Sequence, residues 1–135
     1  MAEQVQLTGT VLGAPASTTD STFPASAVNI PFTLNPPQKT FNVAAGGFPI
    51  NLNSPAAFVA IPGIGGVVGP VTQAQLLYGR VSTPMRFRLT YLGDATPYVS
   101  YVGGIFIIEA DPSSPITLFE VRGSGTLEFY ATGVV

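Results

Sequence analysis

The sequence contains no histidine and no cysteine. Without histidine there can be no Ser–His–acid triad, no Cys–His pair and no imidazole-ligated metal. Without cysteine there is no disulfide framework and no thiolate metal site. Charge is also scarce: 9 % of the 135 residues are charged, against about 25 % in an average soluble protein. The five cations, Lys39, Arg80, Arg86, Arg88 and Arg122, form no run that could neutralise successive phosphates, and the formal net charge is −2. Nucleic acid is therefore not an expected partner. Long apolar runs are missing too. The longest uncharged apolar stretch, Ala56 to Val71, is interrupted by Pro62, Pro70 and several glycines, so no transmembrane helix is expected. The first residues, Met1-Ala-Glu-Gln-Val-Gln-Leu-Thr8, carry an acid but neither a basic nor an apolar region. They do not read as a secretory signal, and synthesis in the cytosol is expected.

What the chain does have is a succession of short strands. In Met85-Arg-Phe-Arg-Leu-Thr-Tyr91, the side chains of Met85, Phe87, Leu89 and Tyr91 fall on one face and those of Arg86, Arg88 and Thr90 on the other. That two-residue period marks a half-buried strand, because successive side chains leave a pleated backbone on opposite faces. Thr126 to Ala131 repeats it, with Leu127, Phe129 and Ala131 inward, and Glu3 to Leu12 alternates in the same way. Further strands are expected at 27–34, where Pro31 confines the segment to an edge or a bulge, and at 40–44, 48–52, 57–61, 73–79 and 98–102. Gly103-Gly-Ile-Phe-Ile-Ile-Glu109 is apolar on both faces and reads as a central, doubly covered strand. Turns are expected at Asn35-Pro-Pro-Gln38, at 93–97 and at 111–115. Segments 116–122 and 126–132 read as a pair joined by a tight hairpin at Gly123-Ser-Gly125.

Nine or ten strands at this spacing, with no helix-length amphipathic stretch, predict an all-β fold. The form expected is a single antiparallel β-sandwich, jelly-roll-like or a related Greek key, with residues 1–135 in one domain. Its core is predicted to contain Phe87, Leu89, Ile107, Leu127 and Phe129. Two stretches do not fit the strand pattern. Residues 13–26 form an extended, irregular segment rich in Ala, Pro, Ser and Thr, suited to lying across a neighbouring subunit. Pro62 to Pro70 is too dense in Gly and Pro for a helix, yet carries Ile64, Val67 and Val68. Those side chains must either fold back on the domain or be covered by something else. Phe23, Ile64, Val67 and Val68 are accordingly the candidate partner contacts.

Chemistry is sparse. Glu109 and Asp111 stand two apart at a strand end, with Glu120 on the strand expected to follow. A pair of carboxylates at the right separation serves glycoside hydrolysis, and carboxylate oxygens can hold calcium. As scattered, they read instead as solvated charges, and no catalytic activity, metal or cofactor is expected. The glycines at 63, 65, 66 and 69 miss the G-x-G-x-x-G spacing and no lysine follows, so this is not a phosphate loop. A single Gly-rich apolar loop would also bind a membrane only marginally. Tyr78, Tyr91, Tyr98, Tyr101 and Tyr130 suit either an aromatic platform for sugars or the rim of a β-core, ring buried and hydroxyl wet.

In overall type the chain resembles the capsid decoration (cement) proteins and other small virion proteins of tailed bacteriophages. The features are a charge-poor all-β chain, an extended N-terminal part, and the ending Ile116-Thr-Leu-Phe-Glu-Val-Arg-Gly-Ser-Gly-Thr-Leu-Glu-Phe-Tyr-Ala-Thr-Gly133. The resemblance implies a non-enzymatic structural protein, made in the host cytoplasm and carried on the virion. It implies a homotrimer that contacts the major capsid protein or another virion protein. The alternative reading is a carbohydrate-binding β-sandwich module of a tail fibre or an enzyme.

Overall fold

The computed structural model describes residues 3–13, 28–41, 43–46, 49–64 and 71–134. By its contacts the chain divides into two compact units, Gln4–Thr40 and Phe41–Val135, the latter grouped with Met1–Glu3. The first unit is a two-stranded sheet of β1 (Glu3–Gly13) and β2 (Val28–Phe41). The turn expected at Asn35-Pro-Pro-Gln38 is absent: β2 runs straight through it. Proline cannot donate to a ladder, and successive residues of a strand point their amides to opposite sides, so the free side of a two-stranded sheet accommodates one of the two adjacent prolines. The Phe32 ring lies over Gly9, where a Cβ would collide with it. Leu34 is buried, whereas Val11, Ile30 and Phe32 are exposed.

The second unit is built from β3 (Val43–Gly46), β4 (Ile50–Ala60), β5 (Gln73–Val81), β6 (Met85–Tyr91), β7 (Tyr98–Val102), β8 (Ile105–Glu109) and β9 (Ile116–Val134). The fold is all-β, and these strands pair antiparallel throughout. The order is β7-β6-β9-β5-β8, with β3 and β4 also on β9.

The registers show a simpler plan. On one side of β9, β6 pairs with its first half and β5 with its second. On the other side β4 and β3 pair with it between Glu120 and Gly133. The pair β5–β6, the pair β7–β8 and the pair β3–β4 therefore each behave as one long strand interrupted midway. The interruptions fall at 82–84, at Gly103–Gly104 and at the register shift between Ser54 and Val59. The sheet bends along that line and curls over its own inner face, giving a sandwich-like core from one sheet. Ala74 partners both Gly133 and Ile116, so the two ends of β9 meet at one residue of β5.

The bend in β9 replaces the hairpin expected at Gly123-Ser-Gly125. A hairpin would pair 116–122 with 126–132, but each half instead finds partners at least 25 residues away in sequence. The glycines are needed for another reason. Neither has room for a side chain: a Cβ at position 123 would lie 2.8 Å from Met85 Cγ, and one at 125 would lie 2.5 Å from Thr83 Oγ1 and 2.8 Å from Ser82 Oγ. Gly125 also has φ 141°, a conformation side chains disfavour. The corner 82–84 is tied to this bend. The Ser82 amide donates to the Thr126 carbonyl, the Thr126 amide to Ser82 Oγ, and the Thr83 hydroxyl to the Ser124 carbonyl.

The core holds Phe87, Leu89, Leu127 and Phe129, as the alternation predicted, with Met85, Phe106, Phe119, Val121 and Ala131. Phe87 is its centre. Its ring meets Phe106 at 4.7 Å and Phe119 at 4.9 Å, both nearly edge-on, the arrangement that aromatic quadrupoles favour. Ile107 is a correction. It points outward, 43 % exposed, because register sets it opposite Tyr78 on the outer face, and β8 is an edge strand that pairs with β5 alone among the described strands. Phe106 and Ile108 take the inner face instead.

Candidate functional site

The charged side chains of the sheet are largely committed to one another. Register places Arg88 of β6 opposite Glu120 of β9, and Arg80 of β5 opposite Glu128 of β9. Arg88 grips Glu120 with two hydrogen bonds, of 2.9 and 2.6 Å, and its guanidinium lies 4.4 Å over the Phe58 ring. Arg80 grips Glu128 at 2.9 and 3.3 Å in a more exposed pair. Hydrogen bonding to these carboxylates raises both guanidinium pKa values further above their ordinary range. Arg122 donates to the Pro55 carbonyl, and Arg86 stacks on the Tyr101 ring at 4.9 Å. Asp111 accepts from the Ser113 amide and hydroxyl at its turn, which holds its carboxyl below the usual range.

The carboxylates considered for catalysis or calcium are thus engaged separately. Glu120 is in the Arg88 pair, Asp111 is in its turn, and Glu109 stands at the end of β8 opposite Leu76. Among the described residues, no three acidic side chains come together. The tyrosines do not form one shelf. Tyr78 and Tyr130 pair on the outer face of β5–β9 with ring centres 5.7 Å apart, and burial raises the Tyr78 pKa. Tyr91 and Tyr98 meet nearly edge-on across β6–β7, and burial raises the Tyr91 pKa. An open depression lies over the first pair, lined by Pro49, Arg80, Ile105 and Glu128 as well.

Of the candidate partner contacts, Ile64 is fully buried within the core cluster, which corrects its assignment as an outward contact. The physical reason is that both ends of its loop are pinned: Ile64 bridges Val71, and the Val71 amide donates to the Gly63 carbonyl at 3.1 Å. The loop's base thus folds back on its own domain. Phe23, Val67 and Val68 lie outside the described residues, as does most of segment 13–26.

The surface that stands out is one the sequence did not flag: the edge formed by β7 and β8. These strands end the sheet, so one side of each backbone has no strand partner among the described residues. The edge bears Tyr98 (57 % exposed), Val99 (49 %), Tyr101 (73 %), Ile105 (81 %) and Ile107. From 98 to 108 it contains no charge and no proline. Edge strands are ordinarily protected against sheet extension by lysine, proline or a bulge. The opposite edge has such protection: β4 carries Pro55 and a register shift, with Ser54 Oγ turned back on the Ala57 carbonyl at 2.6 Å. The sequence signal was present in Tyr98-Val-Ser-Tyr-Val102, an uncharged strand. Its significance depends on its place at the edge, which only the pairing reveals.

No family model, curated protein or solved structure matches the chain.

Proposed function

We propose that this chain is a non-enzymatic structural protein that works by packing against other subunits, as a decorating or cementing component of a virion shell. The observation that carries this reading is the unprotected β7–β8 edge. A protein that must stay dispersed blunts such an edge, whereas a subunit of an assembly uses it. Scarcity of charge supports the same reading, since little repulsion opposes close approach of copies or of a shell subunit. The bacteriophage decoration proteins that the chain resembles in type supply the virion context. On this reading the partners are copies of the chain, arranged as a closed trimer, and a capsid subunit beneath. A trimer would also gain avidity by engaging several shell sites together.

The test is whether the full chain co-sediments with purified virion shells at a stoichiometry matching the shell's symmetry sites. Saturable binding supports the proposal. If the chain co-sediments with no shell and instead binds defined glycans in an array, the carbohydrate-binding reading replaces it. The depression between Tyr78, Tyr130 and the Arg80–Glu128 pair is then the place to look for the sugar.

A further inference from the structure

We infer that the β7–β8 edge is a self-pairing surface, joining two copies of this chain across a two-fold axis at Gly103 into one continuous antiparallel sheet. The inference rests on the assembly reading above but concerns a specific contact within it.

The backbone fixes what kind of partner fits. A sheet edge offers alternating N–H and C=O groups, which another extended strand satisfies best. Three features then favour a second copy. First, the edge is apolar and the opposite edge of the same sheet is not its complement: β4 presents Asn51, Asn53 and Pro55, and proline cannot continue a ladder. Like edges therefore match better than unlike ones. Second, the exposed fractions of Tyr98, Val99, Tyr101, Ile105 and Ile107 leave roughly 600 Å² of surface per copy, so a contact covering all of it on both copies buries at most about 1,200 Å², the lower limit for a specific interface. Third, both strands break at Gly103–Gly104, so two bent edges stay alongside each other only if their bends coincide.

Facing residues in antiparallel strands share a face, which selects the register. Pairing with β6 puts Tyr98, Ser100 and Val102 on the inner face and Val99 and Tyr101 on the outer one. Pairing with β5 puts Ile105 and Ile107 outward and Phe106 and Ile108 inward. A two-fold axis at Gly103 sets Tyr101 opposite Ile105 of the second copy and Val99 opposite Ile107, with outer residues facing outer. This brings together the two most exposed apolar side chains of the edge. Gly103 then faces its own counterpart. This two-fold contact is separate from the three-fold contact of a trimer, and on a shell it would link one trimer to the next.

The register makes the test direct. A Cβ at Gly103 meets nothing within 4 Å, so Gly103→Cys introduces a thiol without crowding. The chain has no other cysteine. Directly opposed residues in an antiparallel pair lie within disulfide reach, at Cα separations of about 4.5–5.5 Å. The full-length variant, at tens of micromolar under mild oxidation with diamide, is expected to give a disulfide dimer as the main product. Ala56→Cys on the opposite edge is expected to stay largely monomeric. Adding Tyr101→Lys to Gly103→Cys places a charge at the contact and should lower the initial cross-linking rate at least about tenfold, with circular dichroism unchanged. Equal cross-linking of the 103 and 56 variants, or indifference to Tyr101→Lys, overturns the inference. Shell binding is scored separately: a chain that cross-links at 103 but binds no shell keeps this contact and loses the virion reading, and the converse result does the reverse.

Discussion

Replacing Phe87 by alanine should unfold the curled sheet more readily than any other single truncation along β6. The side chain is fully buried and held between Phe106 of β8 and Phe119 of β9, so it joins an edge strand to the long bent strand. Truncating a buried Phe costs about 3–5 kcal/mol, through lost transfer energy and the cavity left behind. Two edge-on ring contacts, each worth about 0.5–1.5 kcal/mol beyond buried area, place the expected loss near the top of that range. For a chain of this size such a loss lowers the melting temperature by roughly 10–20 °C. Urea unfolding followed by far-ultraviolet dichroism should show the midpoint shifted and the slope kept. Phe106→Ala should cost less, since that ring lies near the edge and is slightly exposed. The double variant should show coupling of about 0.5–1.5 kcal/mol. A loss under about 1 kcal/mol for Phe87→Ala, or strictly additive effects, would refute a core closed around this ring.

Other substitutions probe other parts of the account. Gly125→Ala should destabilise by at least about 1 kcal/mol, because of its positive φ and the crowding by Thr83 and Ser82, while Gly103→Ala should be close to neutral; equal effects in thermal melts would count against the bend in β9. Thr132 Oγ1 is buried with no hydrogen-bond partner among the described residues, so Thr132→Val should stabilise by about 1 kcal/mol in the same melts. Replacing Glu109, Asp111 and Glu120 by their amides should leave shell binding intact in a folded protein; loss of binding in a variant that still folds would reopen a role for these carboxylates. Tyr78 and Tyr91 have raised pKa values, so they favour the folded state below the ordinary tyrosine value, near 10, and that contribution is lost as pH climbs from there through the folded values. Melting temperature should therefore fall above about pH 10, and less steeply in Tyr78→Phe.

The legible parts of the sequence were those where charge marked the solvent side. Arg86 and Arg88 fixed the facing of 85–91, and β6 spans those residues. Residues 105–108 carry apolar side chains at both parities, so composition could not say that Ile105 and Ile107 face out. It also could not say that the strand lies at an edge. The glycines at 123 and 125 are equally compatible with a hairpin and with a bend, and the choice depended on Ser82, Thr83 and Met85, about 40 residues earlier. The same holds for the ion pairs. Arg88 and Glu120, or Arg80 and Glu128, meet only through strand register, and Ile64 is an ordinary apolar loop residue until its loop closes on Val71.

The claim that the β7–β8 edge is the working surface is tested most directly by amide hydrogen exchange over residues 98–109, in the dilute chain and in the assembled state. The outward amides should exchange quickly in dilute solution and become at least about a hundredfold protected on assembly, while β9 changes little. Edge amides that are equally protected in both states, or equally unprotected, would contradict it.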